Sequence, residues 1–317
     1  MTSAILVLGG TGTVGSRIVR QLSSLSDNTT TILVASRHGS TTTGITTTTS
    51  SSTTTATTNV HHVPFDWHDP STWSNPFTLL SITTTANANA KIRAAYLVAP
   101  PSLGAEKLMT DFVDLARGRG VARFVLQSAS PIEAGGPAMG KVHAYLRELG
   151  ERGEVEWAVL RPTWFQQNFA TQQGHIRSIK EESKIYSATG QGKIPWVSAD
   201  DIAAVAVRAL TDADPPNAEY LVLGPELLSY DDIAEILSDV LGRKIVHVDL
   251  SAADLEKRHQ EFGMSEDYAR MMSALDTAIK YGAENRTNDG ILAVTGAAPK
   301  EFRAFAESVK EVWQIRS

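Results

Sequence analysis

Cysteine is absent from this chain of 317 residues. Its absence excludes disulfides, thiolate metal ligands and cysteine nucleophiles, and it fits a reducing compartment. Basic clusters are also missing: 29 Lys and Arg stand against 35 Asp and Glu, so the net charge is −6 and no nucleic-acid-binding face is expected. No apolar run approaches the roughly 20 residues of a membrane-spanning helix, and the first residues do not resemble a signal peptide. We therefore predict a cytoplasmic protein that acts on a small molecule, without nucleic-acid or membrane partners; the sequence leaves its oligomeric state open.

Apolar strand-like runs alternate with amphipathic stretches through the first half of the chain. Ala4–Leu8 (AILVL) predicts a buried strand, and Gly15–Leu25 predicts the helix that follows it. Further strands are predicted at 32–35, 60–65, 94–99, 123–127 and 157–161, with helices at 106–117 and 140–149. This alternation indicates an α/β fold with a Rossmann-type doubly wound parallel sheet, followed by a smaller, mostly helical C-terminal substrate domain.

Two polar stretches interrupt this pattern. Gly39–Thr58 contains 16 Ser and Thr among its 20 residues, so it buries too little apolar surface to offset the entropy of ordering. We predict that it is a mobile surface insertion. Thr78–Ala90 is predicted to be a shorter polar linker.

A glycine-rich turn connects the first strand to the first helix. In Gly9-Gly10-Thr11-Gly12-Thr13-Val14-Gly15, the first glycine permits a tight turn, the one at 12 lets the backbone approach a pyrophosphate, and the last allows helix–strand packing. The alternative is a merely flexible turn. The position directly after a strand favours a dinucleotide site, with these cofactor-binding residues: Gly9, Thr11, Gly12, Thr13, Val14 and Gly15.

The end of the second strand indicates which dinucleotide binds. An acidic residue there would hydrogen-bond the ribose of NAD, but this chain has Ser36 and Arg37, which can pair with the 2′-phosphate of NADP. The alternative is that Arg37 is a solvated loop charge. We predict NADP(H) as the cofactor. The turns after the third and fourth strands supply further predicted contacts: Asp66, Trp67, Ala99, Pro100 and Pro101.

These assignments predict two domains. Residues 1–165 form the NADP-binding Rossmann domain, which includes the insertion at 39–58. Residues 166–317 form the smaller substrate-binding region, and within it 195–225 is expected to return to the Rossmann sheet.

Several longer strings resemble a known family. GGTGTVG, SAS at 128–130, LRPTWFQQNF at 160–169, IPWVSADDIA at 194–203 and TGAAPKEF at 295–302 resemble the NmrA-like, atypical short-chain dehydrogenase/reductase family. GGPAMGKVH at 135–143, YSATGQGKIP at 186–195 and LGRKI at 241–245 are similar to the fungal ergot-alkaloid reductases of the festuclavine/agroclavine dehydrogenase type. The resemblance implies an NADPH-dependent oxidoreductase of alkaloid biosynthesis that reduces a cyclic iminium formed from an amino-aldehyde.

The catalytic pattern of the wider superfamily is incomplete here. Its Tyr-x-x-x-Lys pair would place the lysine at Lys141, but Pro137 stands where the tyrosine should be. The match implies that Lys141 still binds the nicotinamide ribose; the alternative is a solvated lysine at a helix start. Tyr145, one turn later, is a candidate substitute acid, and Ser128 is a third candidate catalytic residue.

The missing tyrosine is informative about the reaction. Hydride transfer to a ketone produces an alkoxide, which benefits from a general acid by typically ~10²–10⁴-fold. Hydride transfer to an iminium gives a neutral amine directly and needs no proton. A site with a lysine alone therefore suits iminium or imine reduction.

The remaining contacts are predicted beyond the carboxyl ends of the fifth and sixth strands, where ligands bind in such sheets. Pro162 and Thr163 are expected to touch the nicotinamide. The aromatic residues could stack on an indole-like substrate, but core packing is the common alternative for aromatics at this spacing. The predicted substrate-binding residues are Ser130, Trp164, Phe165, Asn168 and Phe169.

Other chemistries are disfavoured. Gly135–Lys141 imitates a phosphate-binding GxxxxGK loop, but Val142 follows in place of a hydroxyl residue that would bind magnesium. The histidines and aspartates near His61 alternate in direction along a strand end, so no metal is predicted. A Ser/His/Asp hydrolase site cannot be assembled from the sequence, and the Gly-x-Ser-x-Gly elbow is absent.

Two alternatives to a reductase stay open. The same pocket could stabilise an iminium for a Pictet–Spengler cyclisation with NADP(H) bound. The chain could also be a non-catalytic NADP sensor, because NmrA-like proteins include dinucleotide sensors.

Overall fold

The computed structural model describes residues 3–25, 30–37, 39, 59–83, 90–100, 102 and 104–314. Pro101 and nearly all of the Thr/Ser-rich insertion therefore lie outside the described residues. The chain divides into two compact units: unit 1 is Met1–Arg161 with Ile202–Tyr220, and unit 2 is Pro162–Asp201 with Leu221–Ser317. Within the described ranges, no helix has the length and apolar character needed to span a membrane.

A seven-stranded sheet forms the centre of unit 1. Its order is β3-β2-β1-β4-β5-β6-β9, and every neighbouring pair from β3 to β6 is parallel. The strands are β1 (Ser3–Leu8), β2 (Thr31–Ser36), β3 (Val60–Pro64), β4 (Lys91–Val98), β5 (Arg123–Gln127), β6 (Glu156–Pro162) and β9 (Ala218–Val222). The predicted Rossmann-type fold is confirmed. Because the order reverses between β1 and β4, a crevice is expected beyond the carboxyl ends of these two strands.

Helices cover this sheet because their apolar positions recur at helical spacing. They are α1 (Gly15–Leu25), α2 (Asn75–Thr83), α3 (Glu106–Gly118), α4 (Met139–Glu151) and α7 (Ala199–Thr211). In α3, for example, Met109, Phe112, Val113 and Ala116 are all buried. The predicted linker at 78–90 is wrong in its first part, because α2 continues to Thr83 and buries Leu80 in the core.

One buried charge also belongs to this core. The side chain of Arg123 is fully buried and pairs with Glu156 on the neighbouring strand at 2.5 Å. Its Nη1 donates to the carbonyl oxygens of Ala209, at 3.2 Å, and Asp212, at 2.7 Å. Arg123 thus satisfies carbonyl groups at the end of α7 that have no partner within the helix.

Unit 2 consists of short elements around an aromatic core. Its strands form two small sheets, in which β7 (Lys184–Ser187) pairs in parallel with β11 (Val246–Asp249) and β8 (Ile194–Pro195) pairs antiparallel with β10 (Leu227–Leu228). Its helices are α5 (Asn168–Thr171), α6 (Gln173–Arg177), α8 (Tyr230–Leu241), α9 (Ala252–Glu261), α10 (Glu266–Lys280), α11 (Gly290–Thr295) and α12 (Phe302–Val309). Its largest buried side chains include Phe169, Trp196, Phe302, Phe305 and Trp313.

Candidate active site

The glycine turn lies at the predicted place between β1 and α1. Gly9 has a φ of +64°, in the left-handed region that favours glycine. An added Cβ at Gly15 would lie 2.2 Å from the carbonyl oxygen of Gly9, so α1 can pack this closely on the turn only with glycine there. At Gly10, an added Cβ would lie 2.7 Å from Val34 Cγ1 on β2. Sterics therefore require glycine at these three positions.

The same turn leaves backbone amides available to a ligand. The amide of Gly10 donates to Ala35 O at 3.1 Å, and that of Gly12 donates to Gly9 O at 2.9 Å. Within the described part of the chain, the amides of Thr11, Thr13 and Val14 have no hydrogen-bond acceptor. They precede the positive end of the dipole of α1, which is an arrangement that binds phosphate oxygens.

The end of β2 carries the residues predicted to select the cofactor. Ser36 is the last residue of the strand and is half-buried, while Arg37 follows in a turn and is exposed. The carbonyl of Ser36 accepts the amide of Phe65 at 3.0 Å, which ties the end of β2 to the chain after β3. An exposed guanidinium at this edge can form a bidentate contact with a phosphate.

The turns after β3 and β4 contain the next predicted contacts. Asp66 is half-buried, and its Oδ1 accepts the amide of His68 at 2.9 Å. The indole of Trp67 is buried in an aromatic cluster and donates to Val98 O at 2.9 Å, so it connects β4 to this turn from inside the core. Ala99 and Pro100 are half-buried at the end of β4. Gly9 lies beside them, because an added Cβ there would meet Val98 Cγ1 at 2.6 Å.

Two serines follow β5. Ser128 is buried, and its Oγ has no hydrogen-bond partner among the described residues. Ser130 is also buried, and its carbonyl accepts a hydrogen bond from Arg161 Nη2 at 2.8 Å. Arg161 in turn pairs with Glu219 of β9 at 2.8 Å. This pair holds the turn after β5, within which the Ser128 hydroxyl is enclosed.

Lys141 lies in the first turn of α4, next to a strained residue. Ala138 has φ 48° and ψ −117°, a conformation that costs a non-glycine residue roughly 1–3 kcal/mol. The amide of Gly140 donates to Pro137 O at 3.0 Å and closes this turn. Lys141 Nζ pairs with Glu106 of α3 at 2.8 Å, and this hydrogen bond lowers the pKa of the Glu106 carboxyl.

Tyr145 also faces α3. Its hydroxyl donates to Asp114 Oδ1 at 2.6 Å. Burial, followed by this contact with a carboxylate, raises the pKa of Tyr145 to about 12. A phenol held in this way is a weak proton donor near neutral pH.

The predicted residues at the end of β6 and just after it belong to unit 2. Pro162 is buried, and the Thr163 hydroxyl donates to Glu284 at 3.4 Å. Trp164, Phe165 and Asn168 are half-buried. Phe169 is fully buried among the rings of Trp196, Tyr230 and Phe302.

Two other constellations bear on chemistry. In the part of the chain that the structure describes, no group of three His, Asp or Glu could hold a metal ion. In unit 2, Ser187 Oγ lies 2.9 Å from His247 Nε2, and His247 Nδ1 lies 2.8 Å from Asp231 Oδ1. Ser187 is fully buried and also bonds Thr189 Oγ1 at 2.8 Å, so this series of hydrogen bonds stabilises the fold.

A family model places this geometry in context. The model of the NmrA-like family matches residues 1–307. The chain belongs to the NmrA-like family. The predicted resemblance is therefore confirmed.

Named relatives and a solved structure are consistent with this membership. The NmrA-like chain is 45% identical over 250 residues to festuclavine synthase II of Penicillium roqueforti, covering 78% of this chain and 84% of that one. It is 43% identical over 260 residues to agroclavine dehydrogenase of Claviceps fusiformis, covering 82% and 87%. Its fold matches the triphenylmethane reductase of Citrobacter sp., crystallised with NADP(H), with a TM-score of 0.71 at 20% identity over 98% of this chain and 99% of that one.

The sequence analysis missed three side chains of the NmrA-like site. Glu106 and Asp114 bind the two candidate catalytic residues of α4, and Arg161 holds the turn after β5. Glu106 and Asp114 are eight residues, or about two turns, apart on α3. Lys141 and Tyr145 are four residues, or about one turn, apart on α4. These spacings alone do not show which side chains meet, because only the packing of α3 against α4 pairs the four of them.

Proposed function

We propose that this NmrA-like protein is an NADPH-dependent reductase of a cyclic iminium or imine of the indole-alkaloid type, in fungal secondary metabolism. The proposal includes a cytoplasmic location, which the lack of cysteine favours. The observation that carries it is the glycine turn at the β1/β4 reversal, which offers free amides close to an exposed arginine. The names of its relatives, festuclavine synthase and agroclavine dehydrogenase, support an alkaloid substrate.

The described residues fit NADP(H). The amides of Thr11, Thr13 and Val14 would hold the pyrophosphate, and Arg37 with Ser36 would hold the 2′-phosphate. Lys141, oriented by Glu106, would bind the nicotinamide ribose. When bound, the cofactor supplies the hydride.

The protein's own side chains suit a reaction that needs no proton. Tyr145 holds its proton tightly because of burial and Asp114, and Lys141 is already paired with a carboxylate. The Ser128 hydroxyl is enclosed, and as a neutral alcohol it is also too weak an acid to protonate an alkoxide. Reduction of an iminium to a neutral amine requires none of these groups to release a proton.

Turnover on matched substrates tests the proposal. Purified protein is mixed with NADPH and either a cyclic iminium or the ketone of the same ring, and loss of the reduced-nicotinamide absorbance is followed. We expect the iminium to react roughly 10²-fold faster or more, since the ketone lacks general-acid assistance. A preference for the ketone would overturn the proposal. Product formation without loss of absorbance would indicate the cyclase, and NADPH binding without any reaction would indicate the sensor.

Cofactor preference provides a second test. Arg37→Asp is expected to weaken NADPH binding about 10- to 100-fold, because it removes a charge-assisted contact worth roughly 1.5–3 kcal/mol, and to spare NADH. Arg93→Asp is the matched control: it makes the same charge change at an exposed position near the opposite end of β4. Equal losses for the two variants would show that the 2′-phosphate does not bind at Arg37.

A further inference from the structure

Unit 2 contains a cavity that the proposed reductase chemistry does not use. Its volume is about 270 Å³, and it lies among residues of α6, β7, α9 and the segment after α9. Since a cavity of about 150 Å³ holds benzene, this one has room for two fused rings. Tyr186, Leu255, Phe262 and Met264 supply most of its apolar wall.

Two histidines line the cavity, along with the polar residues Gln172, Gln173, Ser178 and Arg258. His175 packs on the ring of Phe169 at 4.7 Å between centroids, and His259 belongs to the same lining. Among the described residues, neither imidazole forms a hydrogen bond through its ring nitrogens. Burial lowers the pKa of His259 and lowers that of His175 to about 4, with neighbouring positive groups adding to the effect on both. Each neutral imidazole offers one donor and one acceptor.

The positive charge of Arg258, which lines the cavity, is already neutralised by Glu182. Arg258 lies with its Cζ 3.7 Å from the ring centroid of Tyr186 and 5.5 Å from that of Phe262. Its Nη2 pairs with Glu182 at 3.2 Å, and the hydroxyl of Tyr186 donates to the same carboxylate at 2.6 Å. Among the described residues, no carboxylate lines the cavity, so an incoming cation would find no partner of its own there.

We propose that this cavity binds an uncharged aromatic molecule of about two fused rings that carries a hydrogen-bond donor. The rings pack against Tyr186, Phe262 and Met264, and the donor meets the acceptor nitrogen of His175 or His259. Pockets of this kind combine an apolar wall with a few polar groups that fix the orientation of the ligand. This inference does not depend on NADP(H) or on reductase activity.

Calorimetric titration of the full chain with three probes tests the proposal. Indole has the donor, 1-methylindole lacks it, and tryptamine adds an ammonium group. We expect indole to bind, 1-methylindole to bind about three- to tenfold more weakly for want of one hydrogen bond, and tryptamine at least tenfold more weakly. No binding of indole up to its solubility limit, or tighter binding of tryptamine, would overturn the proposal.

Three variants locate the binding. Met264→Trp places a larger ring in the cavity and should abolish indole binding, whereas Leu292→Trp adds the same ring at a position 47% exposed and should leave it unchanged. Replacement of both histidines, in His175→Leu/His259→Leu, should bring indole and 1-methylindole to within twofold of each other, and a preference for indole that persists would overturn the proposal. Far-UV circular dichroism checks the fold, and the double histidine variant decides the outcome if the Met264 variant does not fold. Unchanged indole binding in Met264→Trp would show that the probe binds elsewhere.

The NADPH titration separates this proposal from the reductase. Loss of NADPH binding with indole binding retained would reject only the reductase. NADPH binding without indole binding would reject only the aromatic site.

Discussion

The two units of this NmrA-like protein are stabilised in different ways. In unit 1, aliphatic strands such as β1 and β2 are buried almost throughout and pair with neighbours in a regular parallel register. In unit 2, long-range bonds from side chains to carbonyl groups connect short elements. Trp313 Nε1 donates to Phe169 O at 2.9 Å, and Gln166 Nε2 donates to Lys300 O at 2.8 Å. Unit 1 therefore relies on repeated backbone pairing, and unit 2 relies on individual side chains.

The largest expected effect is the loss of folding stability when the aromatic core of unit 2 is disrupted. Trp196→Ala should lower the free energy of unfolding by about 3–5 kcal/mol, because it empties a fully buried site. Trp164→Ala, two residues after the end of β6 and only half-buried, is the control and should lose clearly less. Denaturant unfolding measures both. Similar losses would show that the stability lost in unit 2 does not depend on how deeply the tryptophan is buried.

The second-largest expected effect is a loss of NADPH affinity when the glycine turn of unit 1 is changed. In Gly15→Ala the added Cβ would lie 2.2 Å from Gly9 O, so the turn must shift. If the overpacking cost of roughly 1–3 kcal/mol must be met for the turn to hold the cofactor, NADPH affinity falls by about 5- to 150-fold. In Gly118→Ala the added Cβ has no described atom within 4 Å, so NADPH affinity should be unchanged. If Gly15→Ala bound NADPH like the parent chain, the turn would not be the pyrophosphate site.

A buried carboxyl in unit 2 has a smaller effect on the free energy of unfolding, and this effect depends on pH. Burial raises the pKa of Asp276 from 3.8 to about 6, so the folded state binds more protons and stability falls as pH rises from about 4 to 6. Asp276→Asn should therefore gain roughly 1–3 kcal/mol at pH 7 and nothing below pH ~4. Asp267→Asn, in an exposed position of the same helix, controls for the substitution itself. The measurement is the unfolding free energy across pH, and a gain that persists at pH 3 would contradict the explanation.

The smallest effect is expected on the surface of unit 1. Lys107 and Asp111 approach to 2.7 Å, but their side chains are 80% and 46% exposed. Lys107→Ala should change the unfolding free energy by less than about 0.5 kcal/mol. Thermal unfolding at low and high salt checks this, and a loss above 1 kcal/mol would show that this surface pair contributes more than solvent screening allows.

The difference between the units also explains what the sequence could predict. The strands from β1 to β6 were predicted to within about three residues at each end, because a buried parallel strand leaves a short apolar run bounded by turns. In unit 2, β7 (KIYS) and α11 (GILAVT) were not predicted, because segments of four and six residues are too short for a period to show. Sequence patterns also do not show where the last helix ends: α12 covers Phe302–Val309 and continues as a 3₁₀ turn to Trp313.

The candidate site divides in the same way. The glycine turn and Arg37 could be identified because their chemistry is encoded in consecutive residues. Glu106, the partner of Lys141, is 35 positions away from it along the chain. Ser128 as a buried, unpaired hydroxyl also required the structure, since burial and partners depend on tertiary packing.

The series from Ser187 through His247 to Asp231 has a consequence for how enzymes are recognised. A search by interatomic distances alone would classify this protein as a serine hydrolase, because the spacing matches that of an acyl-transfer nucleophile and its base. The serine oxygen, however, has no path to an ester or an amide from solvent. Alignment of the three side chains is thus insufficient for hydrolysis, and a covalent serine reagent such as a fluorophosphonate should leave this protein unlabelled.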